Sequence, residues 1–292
     1  VAGAAWAIRI TQHDRDELAF KRRHVSVADQ AAAVREIRML NTIRLAARTA
    51  LTGKPMPYAG LDLINRVLAA SGRPPELAAT WECWLRDLRG DVLMAEAYER
   101  AKPILAAKSS KGDAKFLVNW PDRVDDSPHL VDIFYALIRA LRPTRIIETG
   151  VAFGMSSSLM LAALRHNGHG HLSSIDLPNR GQFRMDDSDT GILVPVAYRD
   201  RWELVMADCV YELPARMKGN NIDIFAHDSK HTYCHMAYEY CLAAMHLPNN
   251  GIIISDDILW NSAFTDVMRG LKCRTFSHTM SHNIGLAVVP RS

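Results

Sequence analysis

The chain has 292 residues, 48% of them apolar, with 35 Lys and Arg against 32 Asp and Glu. That supports one large domain, or one domain with an extension, while a formal charge of +3 is too small to mark a nucleic-acid reader. No uncharged apolar run reaches the roughly 18 residues of a membrane span, so no membrane partner is expected. Five cysteines, Cys83, Cys209, Cys234, Cys241 and Cys273, are odd in number and lack C-x-x-C spacing. They predict reduced, mostly buried thiols and a cytoplasmic protein.

The stretch up to about residue 115 holds no convincing strand. Lys21-Arg22-Arg23-His24 follows directly on Asp14, Asp16 and Glu17, which makes it a solvated helix face and argues against a transit peptide. Val34, Ile37, Leu40 and Ile43 recur at near-helical spacing until Thr52-Gly53-Lys54-Pro55 stops the pattern. Further helices are predicted over 61–70, 76–88 and 92–108. Trp81, Trp84 and Leu88 share one helix face, which reads as core or subunit packing before it reads as a substrate platform. Ser109-Ser110-Lys111-Gly112-Asp113 is the most linker-like stretch. It divides the chain into a helical region, 1–115, expected as a lid, substrate or dimer contact, and a second domain, 116–292.

In that second part Ser127-Pro128 reads as an N-cap with a first-turn proline. Leu130, Ile133, Phe134, Leu137, Ile138 and Leu141 then trace an amphipathic helix ended by Arg142-Pro143. Apolar strands follow in regular alternation with helices: one ends at Glu148-Thr149, the next at Asp176, a third at Ala207-Asp208, a fourth before His227-Asp228 and a fifth before Asp256-Asp257. Segments 272–276 and 284–289 form a closing antiparallel pair. The expected fold is α/β, a Rossmann-like seven-stranded, mostly parallel sheet with a C-terminal antiparallel strand pair and an N-terminal helical extension. Between the second and third strands lies a long connection, residues 177–201. Its Asp186, Asp187 and Asp189 lack a calcium-loop pattern and read as solvent-facing acids, with an active-site lid as the functional alternative.

The first strand runs into Gly150 and Gly154, and a helix begins at Met155. Gly150 permits a tight turn, and Gly154 removes a side chain where a ligand could approach. Ala152 breaks the dinucleotide glycine pattern, and Glu148 before the turn favours a cationic cofactor over a pyrophosphate. Glu148-Thr149-Gly150-Val151-Ala152-Phe153-Gly154 resembles the first motif of class I S-adenosylmethionine-dependent methyltransferases, and the five ordered strand ends extend the resemblance from about residue 116 to the end. It implies S-adenosylmethionine as cofactor, with contacts from Glu148, Gly150, Gly154, Ser156, Asp176 and Asp208, and with Asn119 and Trp120 reaching toward it.

Asp228 and the Asp256-Asp257 pair follow the fourth and fifth strands, whose ends the resemblance implies lie side by side; three carboxylates there would repel one another unless a divalent cation with oxygen ligands, such as Mg²⁺, neutralised them. This arrangement is similar to the metal-dependent small-molecule O-methyltransferases of catechol and macrolide-sugar type, and to cephalosporin-hydroxylase-type proteins. The resemblance implies Asp228, Asp256 and Asp257 as metal ligands and His231 as general base beside Asp228. The competing reading makes Asp228 a cofactor contact or the cap of a helix beginning near Ser229, Asp256 or Asp257 the cap of the next turn, and His231 structural. His227, His231 and His235 have i, i+4 spacing, but His235 is expected to face away from the stripe of Tyr233, Met236, Ala237, Tyr240, Cys241 and Ala244, which argues against zinc. Lys230 assists substrate or points to water, Tyr233 assists substrate or packs, Phe264 reads as core, and Trp260 and Asn261 could wall the acceptor pocket. The expected activity is methyl transfer to a hydroxyl of a small, natural-product-like acceptor by a homo-oligomer. Metal-free N- or carboxyl-methylation, or cofactor binding without transfer, stands as the alternative.

Overall fold

The computed structural model describes residues 58–74, 78–108, 132–177, 185–219, 221–278 and 283–290. The helix predicted near Val34, the linker at 109–113, and Asn119, Trp120, Ser127 and Pro128 lie outside them, as does the division at 115. In chain order the described helices are α1 Tyr58–Ala70, α2 Ala78–Arg89 and α3 Val92–Lys108, then a π-helical turn Asp132–Leu137 leading into α4 Ile138–Leu141. There follow β1 Arg145–Thr149, α5 Met155–Asn167, β2 His171–Asp176, β3 Trp202–Met206, α6 Cys209–Met217, β4 Ile224–His227, α7 Tyr233–His246, β5 Ile252–Ser255, α8 Ala263–Gly270, β6 Arg274–His278 and β7 Ile284–Val288.

The seven strands form one sheet in the order β3-β2-β1-β4-β5-β7-β6. The first five run parallel, and β7 lies antiparallel to both β5 and β6. β4 and β5 are buried along their whole length, which is why Ile252-Ile253-Ile254 reads as a continuous apolar run. The period of two still decides which layer each side chain joins. Ile146, Ile224, Ile252 and Ile254 enter one apolar cluster, while Ile147, Phe225 and Ile253 enter another on the opposite face.

Helices α1 to α3 share the first cluster: Ile64, Trp81, Leu88, Tyr98 and Leu105 are all buried in it. Trp81 and Leu88 are therefore core residues, and Trp84 lies at the margin with the Arg139 guanidinium 5.3 Å from its ring centre. Before β1, the described part of the expected amphipathic helix is π-helical over Asp132–Leu137 and residues 133–138 are all buried, with Tyr135 and Ala136 as enclosed as Ile133 and Leu137. The extra residue per turn accommodates packing against both α1 and α5.

The thiols depart from expectation. All five cysteines are free, but Cys83, Cys234 and Cys241 are exposed, and Cys209 and Cys273 only half-buried. Among the described residues no helix is long and apolar enough to cross a membrane.

Candidate active site

The strand order reverses direction between β1 and β4, so a crevice opens beyond the carboxyl ends of these two strands. Gly150 leaves β1 there with φ +83°, and a Cβ on it would lie 2.0 Å from the Asp228 carbonyl oxygen and 2.7 Å from the Ser229 nitrogen. Glycine is required by the backbone conformation and by the close approach together. Gly154 corrects an expectation. A Cβ there would lie 2.8 Å from Gly191 Cα, so the space it leaves is filled by the β2–β3 connection and is not open to a ligand. That connection is held on the glycine turn by the Gly191 and Leu193 amides, which donate to the Ala152 and Phe153 carbonyls at 2.9 Å each.

Of the acids in the same connection, Asp186 and Asp187 are exposed as expected, and Asp189 alone departs from the solvent-facing reading. Asp189 is buried and its Oδ2 accepts the Asp186 amide at 2.6 Å, in a reciprocal capping box around the short 3₁₀ turn Asp187–Asp189.

Glu148 is 1% exposed. Its Oε1 accepts the Ser156 hydroxyl at 2.7 Å, and its Oε2 accepts Ser157 at 2.6 Å and Ser174 at 2.7 Å. The carboxylate thus ties β1 to β2 and to the first turn of α5 from behind the glycine turn, where the sequence led one to expect an acid facing the cofactor. Burial pushes its pKa up to about 7, against the three hydroxyl donors that pull it down. An acid with a raised folded pKa stabilises fully below its unfolded pKa and loses that contribution as pH rises through the folded one. Raising pH from 5 to 8 should therefore destabilise the wild type relative to Glu148→Gln by about 2 kcal/mol. Urea unfolding of both proteins at the two pH values measures it, and a constant difference would refute the assignment.

Asp176, at the end of β2, receives the Val151 and Ala152 amides on Oδ2 at 3.1 and 2.8 Å and the Leu177 amide on Oδ1 at 2.7 Å. It shapes the glycine turn directly, and burial raises its carboxyl pKa despite those amides. Asp208 is exposed at the end of β3 and caps α6 by accepting the Val210 amide at 2.9 Å.

Ladder hydrogen bonds bring the remaining acids to the crevice: the Asp228 amide donates to Thr149 at 2.7 Å, and the Asp256 amide to His227 at 2.9 Å. The capping alternative fails for Asp228, because α7 begins at Tyr233 behind Thr232. Asp256 Oδ1 does accept the Asp257 amide at 2.8 Å, at the head of the turn closed by the Trp260 amide on the Asp257 carbonyl, while the α8 amide of Ala263 is taken by Asn261 Oδ1 at 2.8 Å. The Asp228 side chain is 40% exposed, yet surrounding protein, then the charges of Asp256 and Asp257, raise its pKa well above the carboxylate range. Both observations hold for a group on the floor of an open recess. Asp257 has φ +51°, a left-handed conformation tolerated by Asp and met at functional sites.

His231 Nε2 lies 3.7 Å from Asp228 Oδ1, with the side chain 16% exposed. Its ring packs against Trp260 at 5.7 Å and edge-on against His227 at 5.3 Å. Burial first, and the neighbouring His227 second, lower its pKa to about 4, so the ring is neutral at pH 7. Nε2 itself is buried without a hydrogen-bond partner. Trp260 is 61% exposed above it, Asn261 donates to the His231 carbonyl at 3.3 Å, and Phe264 is core as expected. Lys230 and Tyr233 are exposed at this rim.

Three hard carboxylates in mutual repulsion form a donor set suited to Mg²⁺. As placed, however, their oxygens do not all fall within 4.8 Å of one another; among the described residues only Cys209, His235 and Glu239 meet that condition. His235 is thus turned inward, toward Cys209 at 3.3 Å, against the expectation that it faces away. The buried face of α7 carries Met236, Glu239, Tyr240, Leu242 and Ala243, while Cys241 and Tyr233 are outside. The i, i+4 spacing of His235 and Glu239 was the available signal for this group.

Residues 147–258 match a family model described as a methyltransferase domain. Among solved structures the chain is similar to a candidate O-methyltransferase of Klebsiella pneumoniae, at 14% identity and a TM-score of 0.50, covering 69% of this chain and 91% of that one. That likeness shows the fold. Two further matches are an O-methyltransferase from Bacillus cereus in complex with SAH (11% identity, TM-score 0.49, 69% and 91% covered) and TomG from Streptomyces achromogenes, involved in tomaymycin synthesis, in complex with SAM (17%, 0.47, 67% and 90%). No curated protein matches the chain.

Proposed function

We propose that this chain, which carries a class I methyltransferase domain, transfers the methyl group of S-adenosylmethionine to a hydroxyl of a small, natural-product-like molecule, with His231 as general base. The observation that carries the reading is the neutral imidazole whose unpartnered Nε2 stands 3.7 Å from Asp228 at the mouth of the β1–β4 crevice. An acceptor hydroxyl placed between them gives its proton to Nε2. Its oxygen lone pair then forms a bond to the methyl carbon as the carbon–sulfur pair returns to sulfur, leaving S-adenosylhomocysteine. Most of the acceleration would come from holding the two reactants in line.

Cofactor contacts are assigned to the turn from Gly150 to Phe153, to Asp176 and to Asp208, with Glu148 and Ser156 bracing that turn from behind. Mg²⁺ held by Asp228, Asp256 and Asp257 would stabilise the developing alkoxide. The spread of those three carboxylates favours a second reading, transfer without a metal.

Calorimetry with S-adenosylhomocysteine, in Mg²⁺ and then in EDTA, should give a dissociation constant on the order of micromolar. A panel of hydroxylated small molecules should then yield S-adenosylhomocysteine on turnover. Failure to bind under either condition would overturn the transferase reading. Asp228→Ala and Asp257→Ala should keep most of the cofactor affinity while losing turnover, and equal rates with and without EDTA would eliminate the metal.

A further inference from the structure

The start of α6 meets the first two turns of α7. Four side-chain atoms converge there. His235 Nε2 lies 3.3 Å from Cys209 Sγ, 3.1 Å from Ser229 Oγ and 3.0 Å from Glu239 Oε1, and Ser229 Oγ is 3.1 Å from the same Oε1. A single imidazole nitrogen carries either one proton or one lone pair, so it cannot satisfy three partners at once. A cation among them would use a lone pair from every one.

We infer that Cys209, His235 and Glu239, with Ser229 at the fourth corner, form a tetrahedral Zn²⁺ site separate from the Asp228 cluster. With the usual zinc–sulfur and zinc–nitrogen lengths, the edges of such a tetrahedron are about 3.5 Å for S···N and about 3.3 Å for N···O. The observed separations fall a few tenths short of these, which a side-chain adjustment closes. Thiolate, imidazole and carboxylate together select a borderline metal such as Zn²⁺ over Mg²⁺. Glu239 is also held as a metal ligand should be: it is fully buried, and its other oxygen accepts the Thr149 hydroxyl at 2.7 Å and His227 Nδ1 at 2.6 Å. On binding, Cys209 releases its thiol proton to solvent as the sulfur–metal bond forms. The ion would pin α6 to α7 and, through Glu239, fix the His227 ring on which His231 packs.

The site stands independently of methyl transfer and is tested without an activity assay. Tag-free protein purified without chelators should carry about one equivalent of Zn²⁺ by elemental analysis. After exchange with Co²⁺ it should show a thiolate-to-cobalt band in the near ultraviolet and the intense visible bands of a tetrahedral ion. Cys209→Ser and His235→Ala should each abolish the thiolate band, while Cys241→Ser and Asp257→Asn keep it. Wild-type protein that retains no Zn²⁺ and shows no thiolate–cobalt band would overturn the proposal, as would a band that survives in Cys209→Ser. Because the wild type alone gives a decisive result, misfolding of a variant does not rescue the idea.

Discussion

Gly150→Ala should destabilise the protein by more than about 4 kcal/mol, against about 1–2 kcal/mol for Gly168→Ala. The two glycines have nearly the same backbone, φ +83° and φ +77°, so an alanine at either carries a similar conformational penalty. Their surroundings differ. A Cβ at Gly168 meets nothing within 4 Å, whereas at Gly150 it falls 2.0 Å from a carbonyl oxygen and 2.3 Å from its carbon. Those atoms belong to Asp228 at the end of β4, whose amide is already bonded to Thr149, so relief requires β1 and β4 to part. For a protein of this size a loss of that order lowers Tm by roughly 10 °C or more. Differential scanning calorimetry on the two variants measures the contrast. Equal melting shifts would mean that the close approach of the two strand ends is not a feature of the folded protein. S-adenosylhomocysteine binding should follow the same pattern, lost in Gly150→Ala and kept in Gly168→Ala.

The sheet was legible in the sequence because its central parallel strands, enclosed on both faces, carry apolar runs such as Ile252-Ile253-Ile254. Each run ended in a residue type that strand interiors reject: Gly150, Asp176, Asp208, Asp228, Asp256. The exposure of Cys234 and Cys241 was not legible, since it depends on which α7 face meets the sheet. Glu239 shows the difficulty. It lies in the sequence Tyr238-Glu239-Tyr240, where an apolar stripe assigns it to solvent, yet it is fully buried because Thr149, Ser229, His227 and His235 all bring hydrogen-bonding groups to it. His235 is four residues away on the same helix, but Thr149, His227 and Ser229 come from two strand ends, so a local window contains only one of the four partners. Gly154 fails in the same way. Its neighbour Gly191 arrives from a connection whose course is set by long-range packing, including the Trp202 ring that a Cβ on Gly191 would strike at 2.2 Å. What local sequence carried was the position of the crevice; what it could not carry was which side chains face into it and which brace it from behind.

His231→Ala should lower kcat by about 10²–10⁴-fold and leave S-adenosylhomocysteine affinity nearly unchanged, because the ring would act on the acceptor proton and not on the cofactor. A pH profile separates this role from a packing one. With its pKa lowered to about 4, His231 stays deprotonated well below the ordinary 6.5, so the acid limb of kcat/KM set by this base should lie at low pH. Burial is the principal cause of that depression, and the half-open Trp260 supplies part of the cover. Trp260→Ala should admit water to the ring and move the acid limb up toward 6.5. Asp228 is the competing base, and its raised pKa predicts the opposite dependence: opening the recess would lower it and shift the limb down. The direction of the Trp260→Ala shift therefore decides which of the two groups takes the proton. Activity of His231→Ala within tenfold of wild type, with a limb that moves down, would transfer the role to Asp228.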